Sequence, residues 1–135
     1  MPELGKYEKL PRPDSIKAFI KYLISNPVVR EILHEDTQVI NILRNEKTSL
    51  RVFMTNIYIV GLADIYDILS DFGHVDAIVT MSAWNGYTNE AKSKCKRKNI
   101  GLFKFKEFMG AVYFDGKRFL DYINPDYCKK EKYSG

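Results

Sequence analysis

In this 135-residue chain, polar and aromatic residues cluster at the carboxyl ends of the predicted strands. Ligands of open parallel sheets bind outside the carboxyl ends of the strands, so side chains at these positions could act together on one ligand. They offer hydroxyl, amide, aromatic and ammonium groups. The candidate binding residues at this edge are Thr55, Asn56, Ser82, Trp84, Asn85, Tyr87, Thr88, Lys104 and Lys106.

The chemistry that these groups fit best is recognition of a nucleic acid or another anion. Trp84 and Tyr87 could stack on a base or a sugar. The helix predicted to begin near Thr88 would point backbone N–H groups at the same place, and a helix N-terminus attracts anions. A structural role is the alternative, because Ser, Thr and Asn are also ordinary turn and capping residues. Trp84 would then cover the end of the sheet.

A cluster of positive charge lies between Glu90 and Lys106, where seven Lys or Arg residues stand against one Glu. Residues on a helix are turned by about 100° from one to the next, so these cations divide between faces. Lys94, Arg97 and Lys98 share one face, which we expect to continue towards Lys104 and Lys106 and to meet phosphates. The alternative is a solvated helix face.

Complete catalytic constellations are missing from the sequence. His34 and His74 lie in different predicted elements, and the two cysteines lack metal-ligand spacing. Isolated glycines such as Gly61 and Gly73 indicate chain breaks rather than a phosphate-binding loop. We therefore assign no catalytic residue, no metal ligand and no cofactor from these patterns.

The elements that would position these residues form one predicted domain over 1–135. Residues 1–13 are predicted as a flexible arm, 14–45 as a helical segment, 50–123 as an α/β core and 124–135 as a flexible tail. In the helical segment, Asp14 or Ser15 caps a first helix whose apolar residues recur at helical spacing. Asn26 and Pro27 begin a second helix, and 27–44 forms either two helices or one long one.

Strands and helices alternate in the predicted core. Strands are expected over 50–54, 76–81 and 100–105, and helices over 62–72, 88–98 and 106–112. The segment 57–60 either extends the first strand or packs as a loop, and a hairpin is expected around Asp115-Gly116. This alternation predicts an α/β fold with a small, mainly parallel sheet sandwiched by helices, a βαβαβ core.

Composition limits the class of protein. The net charge is +4, hydrophobic residues make up 45% of the chain, and the sequence pI is about 9.0. No apolar run is long enough to span a membrane, and residues 1–12 lack the apolar region of a secretory signal. Cys95 and Cys128 are expected to be free thiols. We therefore expect a cytoplasmic protein without a membrane partner.

Three stretches in the second half of the chain resemble a known family. They are Asp76-Ala77-Ile78-Val79-Thr80-Met81-Ser82, Tyr87-Thr88-Asn89-Glu90-Ala91 and Ile100-Gly101-Leu102-Phe103. This part of the chain, 76–108, resembles the later part of Mrr-type restriction endonuclease domains, which belong to the PD-(D/E)xK nucleases. The resemblance implies a restriction-endonuclease-like sheet, with a Rossmann-like sheet as the other fold that the alternation fits.

The catalytic half of that family is not found in the sequence. The resemblance implies a metal held by an Asp and a Glu-x-Lys strand before Asp76, and 50–61 contains neither. We therefore expect a non-catalytic small α/β domain, an accessory protein or a protein of a defence system or mobile element, that binds nucleic acid or a protein partner. The alternative is a metal-dependent nuclease, for which Mg²⁺ would be the cofactor.

Overall fold

The computed structural model describes residues 10–82 and 84–123, and it contains a five-stranded sheet with helices on both faces. The helices are α1 (Pro13–Ile24), α2 (Leu62–Phe72), α3 (Asn89–Arg97), α4 (Phe105–Ala111) and α5 (Gly116–Leu120). The strands are β1 (Val29–Asp36), β2 (Val39–Arg44), β3 (Leu50–Thr55), β4 (Ile59–Val60), β5 (Ala77–Thr80), β6 (Gly86–Tyr87) and β7 (Gly101–Lys104). The predicted arm and tail lie largely outside the described residues.

The main sheet is mixed. Its strand order is β1-β2-β3-β5-β7, and a separate small sheet pairs β4 with β6. β1 and β3 each run antiparallel to β2, whereas β3, β5 and β7 run parallel to one another. The expected α/β class is confirmed. Only β3, β5 and β7 have the parallel order that the βαβαβ pattern predicts.

The prediction of helices over 26–44 is wrong, because this segment forms the hairpin of β1 and β2. β2 lies between β1 and β3, so its apolar residues are buried on both faces of the sheet. A strand that is apolar on both faces loses the simple alternation of an amphipathic strand, and its spacing can imitate a helix. The β-branched residues Val39, Ile40 and Ile42 are the local signal that favours a strand.

Two apolar clusters hold the helices on the sheet. On one face, Phe19 and Leu23 of α1 pack with Phe108 of α4 against the side chains of Val52 and Val79. On the opposite face, α2 and α3 pack through Ile65, Ile68, Ala91 and Cys95 onto Phe53, Ile78 and Leu102. The N-terminal helix therefore packs on the sheet as predicted, although only 13–24 of the expected helical segment is helical.

Local capping signals gave the boundaries of the core helices correctly. α2 ends at Gly73, whose positive φ of 75° glycine adopts without strain. Thr88 caps α3, since its hydroxyl accepts a hydrogen bond from Ala91 N–H. Two predictions fail: Arg12 rather than Asp14 or Ser15 occupies the cap position of α1, and α5 replaces the hairpin expected around Asp115.

Candidate functional site at the carboxyl edge

The parallel strands β3, β5 and β7 end together, and we call this end of the sheet the carboxyl edge. The loops that follow β3 and β5 are joined by the small sheet of β4 and β6. Gly86 N–H donates to Tyr58 O over 2.8 Å, and Thr88 N–H donates to Val60 O over 3.0 Å. This backbone pairing fixes the two loops side by side.

Asn56 is the polar centre of these loops. Its Oδ1 accepts hydrogen bonds from Ser82 Oγ at 2.5 Å and from Asn85 Nδ2 at 3.0 Å. Thr80 Oγ1 donates to Ile57 O at 2.9 Å, and Thr55 is buried. Several of the predicted binding groups therefore hydrogen bond within the protein and hold the loops in place.

The aromatic side chains at the tips of these loops are exposed. Trp84 is 70% exposed and Tyr58 is 64% exposed. The hydrogen bond from Gly86 N–H to Tyr58 O places the two loops next to each other, so the two exposed rings are carried by adjoining loops. The sequence prediction missed Tyr58, although an aromatic residue in the loop after a predicted strand was a usable signal.

Positive charge borders this aromatic surface. Lys104 ends β7, Lys106 lies in the first turn of α4, and both are exposed. A side-chain carbon at position 86 would lie 3.7 Å from Lys104 Cε, so the lysine stem passes beside the loop that carries Trp84. Neither lysine forms an ion pair within the described part of the chain. We call the surface of Tyr58, Trp84, Lys104 and Lys106 the aromatic–lysine surface.

Tyr87, the second predicted stacking residue, is held in the structure differently from Trp84. Its hydroxyl donates to Glu107 Oε1 at 2.8 Å, and Lys92 Nζ lies 5.5 Å from the centre of its ring. Burial raises the pKa of Tyr87, and the neighbouring Glu107 carboxylate raises it further. Tyr87 therefore supports the site from within and is not an exposed stacking platform.

Lys92 is buried although it belongs to the basic helix. Its ammonium group donates to Leu102 O at 2.6 Å and lies 4.3 Å from the centre of the Phe103 ring. Burial lowers its pKa from 10.5 to about 8, against the opposing attraction of Glu107. Lys92 therefore joins α3 to β7 and offers no charge to a ligand.

The depressed pKa of Lys92 predicts that the free energy of unfolding rises as the pH increases from 8 to 9. Between about 8 and 10.5 the unfolded state binds the proton that the folded state has released, so higher pH favours folding. The rise should approach about 1.4 kcal/mol per pH unit. Cys95, whose pKa burial raises from 9.0 to about 11, acts in the opposite direction above pH 9.

Urea unfolding of the wild type and Lys92→Met at pH 8 and pH 9 measures this effect. The variant should lose the rise, because methionine fills the same space without a titrating group. Equal pH slopes for the two proteins would contradict the assignment.

The cations of the basic helix do not form one surface with Lys104 and Lys106. Lys94 and Arg97 line a groove of about 480 Å³ between α2 and α3, with Lys94 Nζ 5.7 Å from the centre of the Tyr66 ring. Lys98 follows the end of α3, near Gly101, where β7 begins. Lys98 lies just before the start of β7 and Lys104 at its end, so the structure does not bring these two cations together.

Comparisons with known proteins add no family. No family model, no curated protein and no solved structure matches the chain. Within 10–82 and 84–123, no group of three or more His, Cys, Asp or Glu side chains is placed to hold a metal ion. In the same residues, no helix has both the length and the apolar character needed to cross a bilayer.

Proposed function

We propose that the protein is a non-catalytic domain that binds single-stranded nucleic acid through the aromatic–lysine surface. One observation carries the proposal: two large aromatic side chains, Trp84 and Tyr58, are exposed on loops next to the exposed Lys104 and Lys106, which form no ion pair with any residue that the structure describes. A large aromatic side chain left in water costs solvation free energy without contributing to the core. Stacking on a nucleic-acid base would remove the exposed ring from water.

The two parts of this surface match the two parts of a nucleotide. Bases of any sequence can stack on an aromatic ring, and phosphates are attracted by lysine ammonium groups. Bases are available for stacking in single strands, whereas a duplex keeps them inside. The chain's net charge of +4 favours the approach of a polyanion. Phosphate contacts and stacking carry little sequence information, so we expect weak sequence preference.

The salt dependence of binding tests the electrostatic part of this proposal. If Lys104 and Lys106 each neutralise one phosphate, the slope of log K against log salt should be about −1.4 on a single strand. Changing either lysine to Gln should make the slope shallower by about 0.7. Fluorescence anisotropy of a labelled oligonucleotide measures the slope at several salt concentrations.

Lys94→Gln provides the control for the lysine variants, because Lys94 lies in the separate groove between α2 and α3. It should leave the slope unchanged. Slopes that respond to Lys94 and not to Lys104 would move the phosphate path to the basic helix. Absence of binding to single strands and to duplex would favour a protein partner instead.

A metal-dependent nuclease is the second candidate function. It is favoured by the resemblance of 76–108 to Mrr-type domains and by two carboxylates that approach β3. Glu35 Oε2 accepts a 2.5 Å hydrogen bond from the Arg51 guanidinium, and Asp76 Oδ2 accepts one of 2.8 Å from Arg51 N–H. Arg51 also keeps the pKa of Glu35 at about 2, so this carboxylate is already paired with a cation.

Cleavage assays distinguish the two functions. Plasmid and single-stranded substrates would be incubated with Mg²⁺ or Mn²⁺, with and without a chelator. We expect no cutting by the protein. Chelator-sensitive cutting that disappears in Glu35→Gln would establish the nuclease and would support the restriction-endonuclease-like fold.

A cytoplasmic location is part of the same proposal, and the free, buried thiol of Cys95 supports it.

A further inference from the structure

A pocket of about 460 Å³ opens beside the aromatic–lysine surface, between α1 and the ends of β5 and β7. Its apolar part consists of Ala18, Met81 and Phe105. The Phe105 ring is fixed by edge-on contacts with Phe19, at 5.3 Å between ring centres, and with Tyr22, at 6.1 Å. Because these contacts hold the Phe105 ring in one orientation, a planar ligand group can stack on it without first ordering the side chain.

The polar part of the pocket carries the charge. Lys104 and Lys106 line it together with the hydroxyl groups of Ser15 and Ser82. Ser82 donates its hydrogen to Asn56 Oδ1 and keeps its oxygen lone pairs for a donor from a ligand. The pocket therefore combines an aromatic surface, two ammonium groups and two hydroxyls.

We propose that this pocket binds one nucleotide through its base and a terminal phosphate, an inference that rests on the proposed function and makes it more specific. The base packs on Phe105 and Met81, and the phosphate meets Lys104 and Lys106. The volume falls within the roughly 300–1,000 Å³ of ligand pockets and accommodates a single nucleotide rather than a run of them. The phosphorylated end of a strand and a free nucleoside monophosphate present the same chemistry.

Strands of one sequence that differ only at their ends test the inference. One carries a 5′-phosphate, one a 3′-phosphate and one hydroxyls at both ends, with the label placed internally. At least one phosphorylated strand should bind about tenfold more tightly than the hydroxyl strand, since a hydrogen bond to a charged group contributes an effect of that order. Adenosine monophosphate should abolish the difference by competition, and adenosine should not.

Ala18→Met provides the decisive variant, because it fills the pocket with a residue that helices accept well. It should remove the preference for a phosphorylated end and leave the affinity for the hydroxyl strand unchanged. Ala63→Met, on the exposed side of α2, is the matched control and should change neither. Lys106→Gln, at an exposed position, is a second variant that does not depend on repacking and should also reduce the preference.

The outcomes separate the pocket from the proposed function. Strands that bind equally whatever their ends, with adenosine monophosphate producing no shift in the NMR signals of the pocket residues, would overturn the pocket and leave strand binding standing. Binding of adenosine monophosphate without any end preference would assign the pocket to free nucleotides. Nucleotide binding without any strand binding would overturn the proposed function alone. An end preference that survives Ala18→Met would also overturn the pocket.

Discussion

Replacing Trp84 with Ala should weaken the binding of a single strand by about 1–3 kcal/mol, which is the contribution of stacking one base on an aromatic side chain. The loss of affinity should come from stacking alone, because the conformation of the loop does not depend on the indole ring. Its hydrogen bonds are made by Asn56, Ser82 and Asn85. Tyr58→Ala should have an effect of the same kind, since its ring is exposed on the neighbouring loop.

Tyr113→Ala is the matched control for these two variants. Tyr113 is 45% exposed. The Arg44 guanidinium donates hydrogen bonds to the carbonyls of Val112 and Phe114, the two neighbours of Tyr113. Tyr113 therefore lies near Arg44, at the end of the sheet away from Trp84. Anisotropy titrations at one salt concentration measure all of these proteins. Equal affinities of Trp84→Ala and the wild type for the single strand would show that Trp84 does not stack on a base, even if the salt slope pointed to phosphate contacts.

Arg44→Met should lower the free energy of unfolding by about 3 kcal/mol, because it leaves buried and half-buried hydrogen-bond acceptors without a donor. The Arg44 side chain is completely buried at the end of β2. It donates to Thr48 O at 2.8 Å, to Val112 O at 3.0 Å and to Phe114 O at 2.9 Å, and it forms an ion pair with Asp115. It therefore ties the sheet to the segment after α4.

Arg30→Met provides the control for this substitution, since Arg30 is an exposed residue of β1. It should change the stability little. Arg44→Lys should fall between the two, because an ammonium group keeps the charge but cannot reach as many acceptors as the planar guanidinium. Urea unfolding measures the three variants. A wild-type midpoint for Arg44→Met would show that water replaces the lost hydrogen bonds.

The parts of the fold that the sequence predicted are those with local signals. α2 has an apolar stripe and ends at Gly73, and α3 begins at a Thr88 cap, so both boundaries follow from neighbouring residues. The β1–β2 hairpin was missed because its character depends on burial in the sheet. Val39 and Ile40 face opposite clusters, and no local pattern shows that both faces will be covered.

The candidate site was predicted in part for the same reason. Chain order indicated that Thr55, Thr80 and Lys104 end parallel strands, and the structure brings these positions together. The pairing of β4 with β6 is a contact between distant segments, and it determines that Asn56 bonds to Ser82 and Asn85. The separation of Lys98 from Lys104 depends on the direction of α3 relative to β7, which no local pattern in the basic helix shows.

The emission of Trp84 tests the central claim most directly, since it is the only tryptophan in the chain and therefore reports on this surface alone. Unlabelled single strands of about 15 nucleotides, a length that covers one binding site, would be titrated into the protein at low salt. We expect saturable quenching that added salt reverses. The quenching should be lost in Lys104→Gln/Lys106→Gln and retained in Arg97→Gln/Lys98→Gln. Binding detected by anisotropy without any change in Trp84 emission would contradict the central claim.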